Sequence, residues 1–81
     1  MNNFIRRLRK KALLKELKTW TDLMKEYIEQ IGGLDDALEM HKSELDKVDK
    51  TRLNQLKKSY QDAYNNANKE AELIRKELEA L

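Results

Sequence analysis

The chain has 81 residues, 40% of them charged and 6% aromatic, with no proline, no cysteine and two adjacent glycines. This composition is typical of long helices and coiled coils, and the length allows one domain with a thin core. It excludes a disulfide framework and a thiolate metal site, and no apolar stretch approaches the roughly 18 residues of a membrane span. We therefore expect an all-α protein of the cytoplasm, or of the host cytoplasm if a phage encodes it.

Positive charge is concentrated at the N-terminus. Seven of the seventeen basic residues lie in the first eighteen positions, with Glu16 as the one acidic residue there, so this segment carries +6 and the rest of the chain −4. We define residues 1–12 as the basic N-terminal arm. Clustered arginines favour an anionic partner, because guanidinium groups grip carboxylate and phosphate oxygens in pairs. The predicted partner-binding residues are Arg6, Arg7, Arg9, Lys10 and Lys11.

The first predicted element is a helix over residues 4–31. Asn2 and Asn3 are good N-cap residues, and nothing before Ile31 breaks a helix. Apolar residues recur at alternating spacings of four and three, the pattern of a coiled-coil seam: Leu13, Leu17, Trp20, Met24, Tyr27 and Ile31. In the basic arm the seam positions are cationic, and Ile5, Leu8 and Ala12 form a stripe elsewhere on the helix. The arm is therefore expected to project past the packed body or to dock elsewhere.

A turn is predicted over residues 32–34, because Gly32-Gly33 supplies the left-handed backbone of a helix C-cap. Helix 2 then spans residues 35–81, starting from an N-cap at Asp35 or Asp36. Its apolar series changes phase between Leu45 and Leu56, which predicts either a stutter in a continuous helix or a kink at residues 49–51. The kink would give a three-helix bundle.

The predicted fold is an antiparallel, coiled-coil-like helical hairpin with unequal arms, about 42 Å and 70 Å long. Everything beyond about Tyr64 then lacks an intramolecular partner, and this overhang is expected to join two copies in a dimeric helical bundle. The predicted self-association residues are Ala67, Ala71, Ile74, Leu78 and Leu81. The predicted core residues are Leu13, Leu17, Trp20, Met24, Tyr27, Ile31, Leu38, Leu45 and Tyr60. Trp20 would be a partner-binding anchor if the body is thinner than this.

No catalytic, cofactor-binding or metal-binding residues are predicted, and no small-molecule substrate. His41 is the single histidine, and no nucleophile is paired with a base. We expect a non-enzymatic interaction module of bacterial or phage type, an adaptor, inhibitor or assembly factor, which binds itself and another protein. The alternative is a nucleic-acid-binding accessory protein that uses the Arg/Lys arm. A membrane surface is disfavoured because the apolar strip is short.

Overall fold

The computed structural model describes residues 2–81 as two antiparallel helices joined by a short turn. Helix α1 spans Asn3–Met40 and helix α2 spans Lys47–Ala80, and no other helix or strand occurs in the described part of the chain. The molecule is a rod of 63 × 14 × 13 Å. The predicted all-α hairpin is therefore confirmed, but its helix bounds, its turn and the inequality of its arms are not.

Gly32 and Gly33 lie inside α1, so the turn predicted at residues 32–34 is wrong. Both glycines have negative φ angles, and α1 continues for seven residues beyond them. A glycine in a helix costs roughly 1 kcal/mol relative to alanine. The seam outweighs that cost, because Leu34 and Leu38 follow Ile31 at spacings of three and four and are half-buried.

The chain reverses instead between Met40 and Lys47. The backbone N–H groups of Glu44 and Leu45 both donate to the His41 carbonyl, at 2.9 and 3.1 Å. Asp46 is the N-cap of α2, and its side chain accepts a hydrogen bond of 2.8 Å from the Asp49 backbone N–H. The cap thus lies three residues before the predicted kink, and Asp35 and Asp36, the predicted N-caps, are ordinary α1 residues.

The register of the hairpin follows from two contacts. The rings of Tyr27 and Tyr60 lie 6.1 Å apart between centroids, and Arg9 forms an ion pair with Glu77. In both pairs the residue numbers average about 43, the middle of the turn. The arms are therefore nearly equal, 38 and 34 residues long, and the predicted overhang does not exist.

The core lies between the helices and is thin. Among residues 2–81 only four are buried, Leu13 on α1 and Ala67, Ala71 and Ile74 on α2. The last three were predicted to bind a second chain, and Leu78 and Leu81 beside them are half-buried. The self-association surface predicted for residues 67–81 is therefore wrong, because α1 already covers it.

The predicted core residues all lie at or near the contact between the helices. Leu13 is buried, and the other eight, including Trp20, are half-buried. The seam of α2 differs from the predicted series, because Leu56 is exposed and Lys57 is half-buried. The observed seam again alternates spacings of three and four: Lys50, Leu53, Lys57, Tyr60, Tyr64, Ala67, Ala71, Ile74, Leu78 and Leu81.

Replacing either glycine by alanine should stabilise the protein. A Cβ atom at Gly32 or Gly33 would meet nothing within 4 Å, so each substitution should raise the free energy of unfolding by about 0.5–1 kcal/mol. Thermal or urea unfolding followed by circular dichroism measures this. The matched control is Ala12→Gly at an exposed α1 position, which should lose a similar amount. A lower stability of Gly32→Ala and Gly33→Ala would mean that the glycines adopt a turn.

Two adjacent residues of α2 test where the core lies. Ile74→Ala should lower the free energy of unfolding by about 2–4 kcal/mol, because Ile74 is buried between the helices. Leu73→Ala should change it by less than about 0.5 kcal/mol, since Leu73 is exposed. Equal effects of the two substitutions in urea unfolding would contradict the packing described here.

Candidate docking surface at the end of helix α1

The basic N-terminal arm is not a free arm. Residues 3–12 are the first turns of α1, and those around Arg9 lie beside the last turns of α2, where Arg9 Nη2 lies 3.5 Å from Glu77 Oε2. The prediction that the arm projects beyond the packed body is therefore wrong from about Arg6 onward. Both side chains of this pair are about half exposed, and such surface pairs contribute little, at most about 1 kcal/mol.

The five predicted partner-binding residues are all exposed, but they do not share one face. Arg6 and Lys10 lie seven residues before Leu13 and Leu17, which places them on the side of α1 that faces α2. Arg9 lies on the flank that meets Glu77. The five residues therefore lie on different sides of α1, and Arg7 and Lys11 are the two that face neither α2 nor the flank of Arg9.

The side of α1 that faces away from α2 carries an apolar cluster at this end. Phe4, Ile5 and Leu8 are 66%, 54% and 52% exposed, although each is a large hydrophobic residue. Arg7 and Lys11 border them on the helix surface, because i, i+3 and i, i+4 neighbours share a face. We call these five residues the outer patch. The sequence placed Ile5 and Leu8 off the seam, but neither they nor Phe4 were among the predicted partner-binding residues.

Charge is distributed unevenly along the rod. The end formed by residues 2–18 and 69–81 carries ten basic and five acidic residues, a formal charge of +5. Residues 35–50 around the turn carry six acidic and three basic residues, a formal charge of −3. On α1 the positive region ends at Lys18, whose Nζ donates to Asp22 Oδ2 at 2.8 Å. This hydrogen bond and the charge of Asp22 raise the pKa of Lys18.

Other candidate chemistry is weak in the described residues. His41 lies in the turn and is exposed, and its Nδ1 is 3.1 Å from Glu44 Oε2, so it does not lie between the helices. Within residues 2–81 no group of three or more histidine or acidic side chains could hold a metal ion. Neither helix, as described, has an apolar segment of the length needed to cross a bilayer.

Comparison of the chain with protein-family models, with curated proteins and with solved structures finds no match. Function is therefore inferred from the outer patch and from the sides of the rod.

Proposed function

We propose that the protein is a non-enzymatic interaction module that docks an acidic surface of another protein through the outer patch. The observation that supports this most directly is the exposure of Phe4, Ile5 and Leu8 among cationic side chains. A few side chains buried at the centre of an interface, arginine and aromatic residues above all, supply most of the binding energy, and the surrounding charges steer and orient the partner. An adaptor, inhibitor or assembly factor would use such a surface.

The chemistry of the patch favours a protein with an apolar groove bordered by carboxylates. Phe4 and Leu8 are four residues apart on one helix face, which is the arrangement used when an amphipathic helix enters a groove. Arg7 lies between them in sequence and offers a planar fork that matches a carboxylate. An acidic, groove-forming partner would satisfy the apolar and the charged part of the patch together.

A polyanion or an anionic membrane fits less well, because the outward line of α1 changes sign. Every seventh residue along this line is Leu8, Lys15, Asp22, Glu29 and Asp36. A duplex or a lipid surface that followed α1 beyond the second turn would meet carboxylates, which repel phosphate. Contact with either would be confined to the tip of the rod. Nucleic acid remains the alternative partner for the Arg/Lys end.

The proposal predicts that apolar and forked-cation contacts both matter for capture of the partner. Phe4→Ala and Leu8→Ala should each weaken binding to the protein captured by the wild-type chain by about tenfold or more, about 1.4 kcal/mol. Arg7→Lys should also weaken it, because lysine keeps the charge but loses the fork. Affinity capture from the native host, followed by titration with the purified partner, measures these effects.

Matched controls separate this surface from general stickiness. Met40→Ala removes a more exposed apolar side chain at the turn end and should leave binding unchanged. Random duplex DNA and vesicles containing phosphatidylserine are titrated in parallel at 150 mM salt. Micromolar binding to the DNA that survives Arg7→Lys and Phe4→Ala would support the nucleic-acid alternative and reject the proposal. Vesicle binding that depends on Phe4 and Leu8, with no captured protein, would reject it as well.

A further inference from the structure

Beside the first seam, helix α1 carries a second apolar stripe that α2 covers only in part. Leu14 and Ile28 are 48% and 55% exposed, and Thr21 lies midway between them. The half-buried residues of the first seam lie beside this line. Together they form a second series at spacings of three and four: Leu14, Leu17, Thr21, Met24, Ile28 and Ile31. A helix with two adjacent seams is typical of a bundle with more than two helices, because each seam requires its own neighbour.

The stripe lies in a shallow depression along one side of the rod. A groove of about 300 Å³ is lined by Met24 and Ile28 together with Thr21, Asp22 and Lys25. A second groove, of about 520 Å³, lies between Ile31 on α1 and Tyr64 on α2. We call this side the Ile28 side. The ion pair between Asp35 and Lys57 lies on the same side. Residues seven apart share a helix face, and Asp35 follows Ile28 by seven residues, as Tyr64 follows Lys57.

The line of residues through Leu14 and Ile28 is complementary to the same line on an antiparallel second copy. Extended by seven residues in each direction it begins at Arg7 and ends at Asp35. If two copies are antiparallel with Thr21 opposite Thr21, Leu14 of each chain meets Ile28 of the other, and Arg7 meets Asp35. Two apolar contacts and two ion pairs then form about a twofold axis, which is how an isologous interface repeats each contact.

We propose that the protein forms an antiparallel homodimer in which the Ile28 sides of two rods pack together about Thr21. The occupant of the groove is a second copy of this chain, and the assembly is a four-helix bundle. The surface differs from residues 67–81, which are covered by α1. It shares Arg7 with the outer patch, but it does not rest on the proposed docking function, because Ile5 and Leu8 of that patch lie on the other sides of α1 and its apolar contacts are made by Leu14 and Ile28.

Charge selects the antiparallel orientation. The end formed by the chain termini carries +5 and the turn region −3, so antiparallel rods place the positive end of one beside the negative end of the other. Parallel rods would instead stack like charges. Lys18 and Lys25 would face each other at the rim of the dimer, but Asp22 compensates Lys18 at 2.8 Å. On α2 the same side presents Gln61 and Asn68, which can exchange side-chain hydrogen bonds across the axis.

The available area is sufficient for a stable dimer. One long side of the rod measures 63 by 14 Å, roughly 900 Å² in projection. A standard interface buries roughly 800 Å² on each partner. A contact along α1 alone would be smaller, so we expect both helices of each chain to take part.

The first test is the mass in solution. Light scattering coupled to gel filtration of the full chain should give twice the 9.7 kDa chain mass at high micromolar concentration. Ile28→Asp should halve the mass while the helical circular dichroism is retained, because Ile28 does not support the hairpin core. Leu73→Asp, an equally exposed position away from the Ile28 side, should remain a dimer.

The second test determines the orientation of the two chains by disulfide cross-linking, without a destabilising variant. The chain has no cysteine of its own, so any disulfide must form between the introduced cysteines. Leu14→Cys and Ile28→Cys are made separately, one carrying a size tag. Oxidation of either alone should give little disulfide, since identical positions lie about 20 Å apart in an antiparallel pair. Oxidation of the mixture should give the mixed disulfide in several-fold higher yield. A monomeric wild-type chain, a dimer unaffected by Ile28→Asp, or efficient cross-linking of each variant with itself would overturn the proposal.

Discussion

The seam between α1 and α2 determines the rest of the structure. On α1 it holds one phase from Leu13 to Leu38, and on α2 another from Lys50 to Leu81. A helix of this length is stable in water chiefly because such a stripe is covered, so each arm depends on the other. The free-energy cost of two glycines within α1 is small compared with the stabilisation that each helix gains when its stripe is covered. The chain reverses where the phase changes, between Leu45 and Lys50, and Asp46 caps the new helix there.

A two-helix seam leaves much of the chain exposed, and this is the origin of both proposed surfaces. In the part of the chain that the structure describes only four residues are buried, because each helix can cover one face of the other and no more. Apolar residues outside the seam therefore remain accessible. On α1 they form two groups, the tip around Phe4 and the line from Leu14 to Ile28. We propose that the first, which is surrounded by cations, binds a foreign acidic partner, and that the second, which is self-complementary, binds another copy.

The sequence predicted the helical class and the first seam because spacing is a direct consequence of helix geometry. The turn was misplaced because Gly32-Gly33 was given more weight than the unbroken series Ile31, Leu34, Leu38. The α2 seam was hidden by Lys57, a charged residue at a seam position that pairs with Asp35 across the helices. Ala67 and Ala71, the buried alanines of α2, were recognised as part of an apolar stripe. Because the turn was misplaced, the predicted hairpin had no helix opposite them. The outer patch could be anticipated from phase alone, whereas the pairing of Arg9 with Glu77 depends on the register.

The central claim, that the hairpin closes at residues 41–46 with nearly equal arms, is tested most directly by one distance. Glu16 and Glu70 lie seven residues inward from Arg9 and Glu77, on the same flank of the rod. Spin labels on cysteines at these two positions, with the labelled chain diluted in unlabelled protein, should lie about 10–20 Å apart, as for helices packed at 8–10 Å. A hairpin turned at Gly32-Gly33 would place residue 16 level with residue 50. The labels would then be about 30 Å apart or more, and that result would contradict the account.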